Sequence, residues 1–198
     1  MDMKKIVLFT ASLLIATIMN AQSFEQGNNY VNVGYGLGLG YGRLLNAYNA
    51  YDGYKFSGFG PAFISYERGV TDNIGVGASV SYSSYGAKWN QDGGSQTYAY
   101  SYRWTTLSIL ARGYYHFNVS SDKFDPYAGV GLGFLKYGYK WTSTDPGFDE
   151  ASNSVSLGTP FGYQIFAGAR YMFSDKVGGY AEVGYGVSVM NFGLTFKL

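Results

Sequence analysis

The chain has 198 residues, of which 46% are hydrophobic and 19% aromatic, yet only 14% are charged. A soluble domain carries about 25% charged residues, so this composition does not build a surface that faces water on every side. With no cysteine and a formal net charge of +1, the chain makes neither disulfides nor thiolate metal sites, and it gives no electrostatic case for nucleic acid.

Lys4 and Lys5 precede an apolar run over residues 6–18, and Asn20-Ala21-Gln22 follows. That is the pattern of a signal peptide cut after Ala21. The run is too short for a membrane-spanning helix, which needs about 20 apolar residues. Residues 1–21 are thus expected to direct export and residues 22–198 to form one mature domain. Without the leader the chain loses Lys4, Lys5 and Asp2 and is neutral.

Residues 22–28 read as a polar leader. A first strand is expected over 30–41, with Val31, Val33, Tyr35, Leu37, Leu39 and Tyr41 on one face and Asn32 and alternating glycines on the other. Its GYGLGLGYG does not fit the phosphate-binding G-x-G-x-x-G, and the period of two marks a strand instead. A Tyr- and Asn-rich loop is expected over 43–57, then a strand over 59–69 and a tight turn at Thr71-Asp72-Asn73. The strand over 74–84 alternates Ile74, Val76, Ala78, Val80 and Tyr82 with Gly and Ser.

A second long loop is expected over 85–100, around Asp92-Gly93-Gly94, followed by a strand over 102–117 and a polar turn over 118–125. Strand five covers 126–139. A third long loop, with Asp145-Pro146-Gly147, covers 140–155. Strands over 157–173 and 177–187 lead through a short link at 188–190 to the closing FGLTFKL of 192–198. There Phe192, Leu194, Phe196 and Leu198 face one way, and Gly193, Thr195 and Lys197 the other.

Eight strands with connections alternating between long and short specify an all-β, eight-stranded antiparallel up-and-down transmembrane β-barrel. The loops at 43–57, 85–100 and 140–155 then share one end, and both termini share the other. The face opposite the apolar one is mostly Gly and Ser, a poor soluble surface but one that suits a crowded lumen. Tyr66, Tyr115, Phe117, Tyr171 and Phe173 gather on the apolar face at the turn end, with Tyr41 and Tyr82 at the loop end. Such aromatic belts are expected at lipid interfaces.

The phrases AFISYERGVTDNIGVGASVSY, KFDPYAGVGLGF, GYQIFAGARYMFSDKVGGYAEVGYG and the closing FGLTFKL are spread along the mature chain from residue 62 to residue 198. They resemble the small eight-stranded outer-membrane barrels of the OmpX and OmpA-barrel kind. The family's closing strand usually ends in Phe, whereas this one ends in Leu198. The resemblance implies an outer-membrane location among lipids and lipopolysaccharide, with assembly by the barrel-assembly machinery through the C-terminal strand. It implies no cofactor and no metal. Because this fold hosts several activities, three functions are set against one another. The first is a structural or surface-interaction role, not an enzyme, in which the loops meet surfaces or host proteins. The others are a narrow pore for small solutes and a lipid-modifying enzyme.

Four charges fall on the inward face: Glu67, Arg112, Arg170 and Glu182. Buried charges must be paired, and an eight-stranded lumen is filled by side chains. These residues are therefore expected to form a plug of ion pairs, the alternative being a gate. His116 is the sole histidine. Lipid-modifying relatives use a histidine near the outer leaflet, but His116 sits at the turn end and is expected to be a polar residue at an interface. Trp89, Trp141 and Asp145, expected in the loops, are candidate binding residues. The loop acids could instead hold divalent cations that bridge lipid phosphates.

Overall fold

The structure, a computed structural model, describes residues 24–37, 54–94, 96–149 and 153–198. The signal peptide expected over 1–21, the end of the first expected strand and most of the loop expected over 43–57 lie outside the described residues.

Eight strands pair in chain order and close on themselves. They are β1 (Asn29–Leu37), β2 (Lys55–Gly69), β3 (Ile74–Asp92), β4 (Thr97–His116), β5 (Phe124–Ser143), β6 (Ser154–Met172), β7 (Val177–Tyr185) and β8 (Met190–Lys197). Every pairing is antiparallel, and β1 closes on β8 with Tyr30 opposite Lys197 and Leu37 opposite Met190. Over the closed part no sheet edge remains, which a strand structure needs in order to stand in hydrocarbon.

Period-two alternation sorts the side chains in the reverse of a soluble core. Val33, Ile64, Val80, Ile109, Val130 and Leu194 are exposed on the outside, whereas Asn32, Ser65, Ser79, Ser108, Gln164 and Thr195 are buried inside. On β5 the outward row runs from Phe124 through Val130 and Leu132 to Phe134. At about 3.3 Å per residue and a typical tilt near 40°, that row is roughly 25 Å tall, the height of the apolar band around an outer-membrane barrel. Inside, the bare positions receive large neighbours. A Cβ on Gly129 would collide with the ring of Phe166, and one on Gly75 with the Glu67 carboxylate.

The wall is uneven in height. β3 to β6 have 19 or 20 residues each, against 9, 9 and 8 for β1, β7 and β8. At the loop end a sheet built from β2 to β6 therefore projects beyond the closed barrel. This corrects the expected loops. Most of 85–100 is strand, with only 93–96 as its connection; 55–57 belongs to β2, and 140–143 and 154–155 belong to β5 and β6. The reason is visible in the residues. Tyr98, Tyr100, Tyr102 and Trp104 alternate with Ala99, Ser101, Arg103 and Thr105, and aromatic and β-branched residues fit a pleated surface well. Their polar alternate face, which lacks the apolar residues of the band below it, mimicked a loop. The last link also shifts: β7 ends at Tyr185, Gly186 takes φ 119°, and β8 starts at Met190.

At the turn end the segment 24–28 folds across the barrel mouth. Gly27 N–H donates to the Gly69 carbonyl at 2.9 Å, and Gln26 N–H donates to Asp72 Oδ1 at 3.1 Å. This is not a plain polar leader, because Phe24 is buried.

Candidate functional site: the buried charge network and the loop-end aromatic face

The inward faces of β2, β4, β5, β6 and β7 deliver their charges to the lumen toward its turn end. Glu67 stands on β2, Arg112 and His116 on β4, Asp125 and Tyr127 on β5, Arg170 on β6 and Glu182 on β7. The four charges expected to face inward come together as two pairs. Arg112 Nη2 meets Glu182 Oε1 at 2.9 Å, and Arg170 Nη2 meets Glu67 Oε2 at 2.6 Å. Tyr127 links the pairs: its hydroxyl donates to Glu182 Oε1 at 3.1 Å, and its ring lies 5.5 Å from the Arg170 guanidinium.

Two further residues complete the network, and the sequence reading missed both. Asp125, assigned to a turn, lies on β5 directly opposite Arg170, and its Oδ2 sits 3.2 Å from Arg170 Nη1. His116 is not an interfacial residue. Its Nδ1 lies 2.7 Å from Asp125 Oδ1 and its Nε2 2.6 Å from Glu67 Oε1. The signal was parity, since His116 follows Arg112 at an even spacing and so must share its face.

All six charged side chains are at most 3% exposed. Ions so buried are tolerated only when paired and hydrogen-bonded. Both nitrogens of His116 face carboxylate oxygens, and only the imidazolium can donate to both. Three cations then balance three anions. Aromatic faces complete the packing, with the Arg112 guanidinium 3.7 Å from the Phe166 centroid and that of Arg170 3.8 Å from Tyr30. Phe24 lies flat on the imidazole from the turn end. A general base needs a free ring nitrogen aimed at a nucleophile, whereas here both nitrogens are held by carboxylates. The arrangement fills the lumen and leaves neither ring nitrogen of His116 free.

The three loop candidates fall on the projecting sheet instead. Trp89 is on β3 and Trp141 on β5, so neither is a loop residue, while Asp145 lies in the connection after β5. They meet around Tyr100 of β4. Its ring stacks on Trp89 at 5.7 Å, and its hydroxyl donates to Asp145 Oδ2 at 3.2 Å. Trp141 lies 6.2 Å from Trp89 and 5.8 Å from Phe148. Tyr102 and Tyr139 extend the group. By register, these rings continue the inward face of the barrel above its closed part, where they are partly exposed.

The family described as outer membrane protein beta-barrel domain matches residues 8–195. No curated protein matches. Among solved structures, the N-terminal β-barrel domain of Pseudomonas aeruginosa OprF is similar at 13% identity and a TM-score of 0.47, with 88% of this chain and 99% of that one covered. Pseudomonas aeruginosa OprG is similar at 13% identity and a TM-score of 0.47, covering 90% and 99%. The attachment invasion locus protein Ail of Yersinia pestis, solved with the heparin analogue sucrose octasulfate, is similar at 11% identity and a TM-score of 0.45, covering 87% and 96%. No residue role is carried over from these structures.

Proposed function

Because the chain belongs to the outer membrane protein beta-barrel domain family and resides in the outer membrane, we propose that it is a non-conducting barrel that anchors and displays a surface-interaction sheet. Residues 1–21 act as the signal peptide, and the turn end, with its short connections, faces the periplasm. The projecting β2–β6 sheet stands outside, with Trp89, Trp141 and Asp145 on its concave face.

The observation that carries this reading is the filled lumen. Arg170, Glu67, His116, Asp125, Arg112 and Glu182 fill adjoining levels of an eight-stranded barrel, each cation beside a carboxylate. An ion crossing them would have to break buried pairs, each costing several kcal/mol. The long β3–β4 and β5–β6 hairpins, rich in stacked aromatic rings, suit display better than permeation.

Single-channel recording of the refolded protein in planar bilayers tests it. The expected trace is flat, without reproducible steps. Defined conductance steps that change in Arg112→Ala would overturn the sealed reading in favour of a narrow pore.

A further inference from the structure

On the outward face of β2 to β5, the side chains turn cationic where the apolar band ends. Lys136 comes next after Phe134 on that face of β5. Two rows higher, Arg103 stands directly opposite Lys140, and higher still Lys55 stands opposite Lys88. All five are exposed. Like charges facing each other in register destabilise a strand pair. Among the described residues of these rows no carboxylate shares the face. The acid that alternation places there is Asp92, at the tip of β3, where Thr97 donates to it at 2.9 Å.

Between Arg103 and Lys140 the surface sinks into a recess of about 440 Å³. Register sets Arg103, Lys140 and Ser154 in one row and Thr105, Gly138 and Ser156 in the next. Gly138 forms the floor. A Cβ there would come within 2.6 Å of Thr105 Oγ1, so the missing side chain is what opens the recess. Arg103 Nη1 donates to the Ser84 hydroxyl at 3.0 Å, which fixes the guanidinium through one of its five donors.

Two cations and three hydroxyls around a bare backbone floor match a phosphate group. The recess opens sideways, away from the barrel axis, on the same face as Leu107, Ile109 and Phe134 just below it. A soluble polyanion would meet the mouth of the barrel, whereas this site meets the membrane plane. We propose that the recess binds the phosphate of a phosphorylated glycolipid headgroup in the outer leaflet, with the acyl chains along Leu107, Ile109 and Phe134. Lys136, Lys88 and Lys55 flank it and answer further negative charge on the same lipid layer. The site rests on the reading above that the loop end faces outward.

The test is native mass spectrometry of the full mature barrel released from phosphatidylcholine nanodiscs. The discs carry either bis-phosphorylated lipid A or the same lipid after chemical dephosphorylation. Retention of the phosphorylated form is expected to exceed that of the other at least tenfold. Arg103→Gln/Lys140→Gln removes two interfacial charges and should weaken retention roughly thirtyfold. Lys123→Gln/Lys176→Gln, the same charge change at the turn end, should leave it unaltered. Heat-dependent gel mobility confirms that each variant is folded.

Equal retention of both lipids, or equal loss in the two double variants, overturns the site. Displacement of the lipid by millimolar inorganic phosphate would assign the recess to free phosphate and overturn the lipid assignment. Labelling of a cysteine placed at Asn90 on intact cells, read separately, tests the orientation. Failure to label removes the outward reading, whatever the lipid binding shows.

Discussion

The ring of Phe24 lies parallel to that of His116, with centroids 3.5 Å apart and planes 4° apart. A residue ahead of the first strand thus closes the turn end of the charge network. Phe24 also packs against Gly69, where a Cβ would come within 3.1 Å of its ring. Phe24→Ala removes a buried ring, and changes of that kind cost about 3 kcal/mol. Urea unfolding in detergent, followed by the loss of the fast-migrating folded band, should show a midpoint lowered accordingly. An unchanged midpoint would mean that the segment 24–28 rests on the barrel without contributing to it.

Arg112 and Glu182 give a sharper test, because breaking a buried pair differs from removing it. Arg112→Met leaves Glu182 with only the Tyr127 hydroxyl as a partner and should cost about 3–5 kcal/mol. Arg112→Met/Glu182→Leu removes both charges and should recover most of that loss. The same unfolding measurement on the two singles and the double gives the coupling energy. Strict additivity would show that the 2.9 Å contact contributes no energy of its own.

The shape of the barrel was legible because its cause is local: alternation fixes the face of every residue once one is fixed. Glu67, Arg112, Arg170 and Glu182 could therefore be placed inside from parity alone. Which acid meets which base could not, because partners such as Arg170 and Glu67 lie 103 residues apart and meet through strand tilt and barrel stagger. Asp125 was lost for a different reason. It precedes Pro126 in a polar run, so turn chemistry masked a strand start that the register with Arg170 makes plain. The projecting sheet was misread because above the membrane its outward residues become Lys, Arg, Ser and Thr, and polarity stood in for loop.

His116 separates sealing from catalysis. With Nδ1 and Nε2 both held by carboxylates at the turn end, it has no free nitrogen to serve as a general base. His116→Ala should leave the mass pattern of lipid A in the producing cells unchanged while lowering the unfolding free energy by about 3 kcal/mol or more, since Glu67 and Asp125 lose a cation. A changed lipid A pattern at wild-type protein levels would reinstate the enzymatic reading.

The projecting sheet should be separable from the barrel that holds it. Tyr85 and Trp104 are directly opposite each other, so an Asn-Gly turn can join them in place of residues 86–103 with the register kept. The excised rings pack on one another and on Trp141, Phe148 and Tyr139 at the same loop end, while the buried ion pairs lie nearer the turn end. The shortened chain should therefore fold with heat-dependent gel mobility and unfold within about 1 kcal/mol of the full chain, as surface changes away from a core do. It should also lose the exciton-type circular dichroism of the stacked tryptophan and tyrosine rings. If the shortened chain fails to fold, the hairpin helps to nucleate or register the wall. The aromatic face would then be structural first, and its display a consequence.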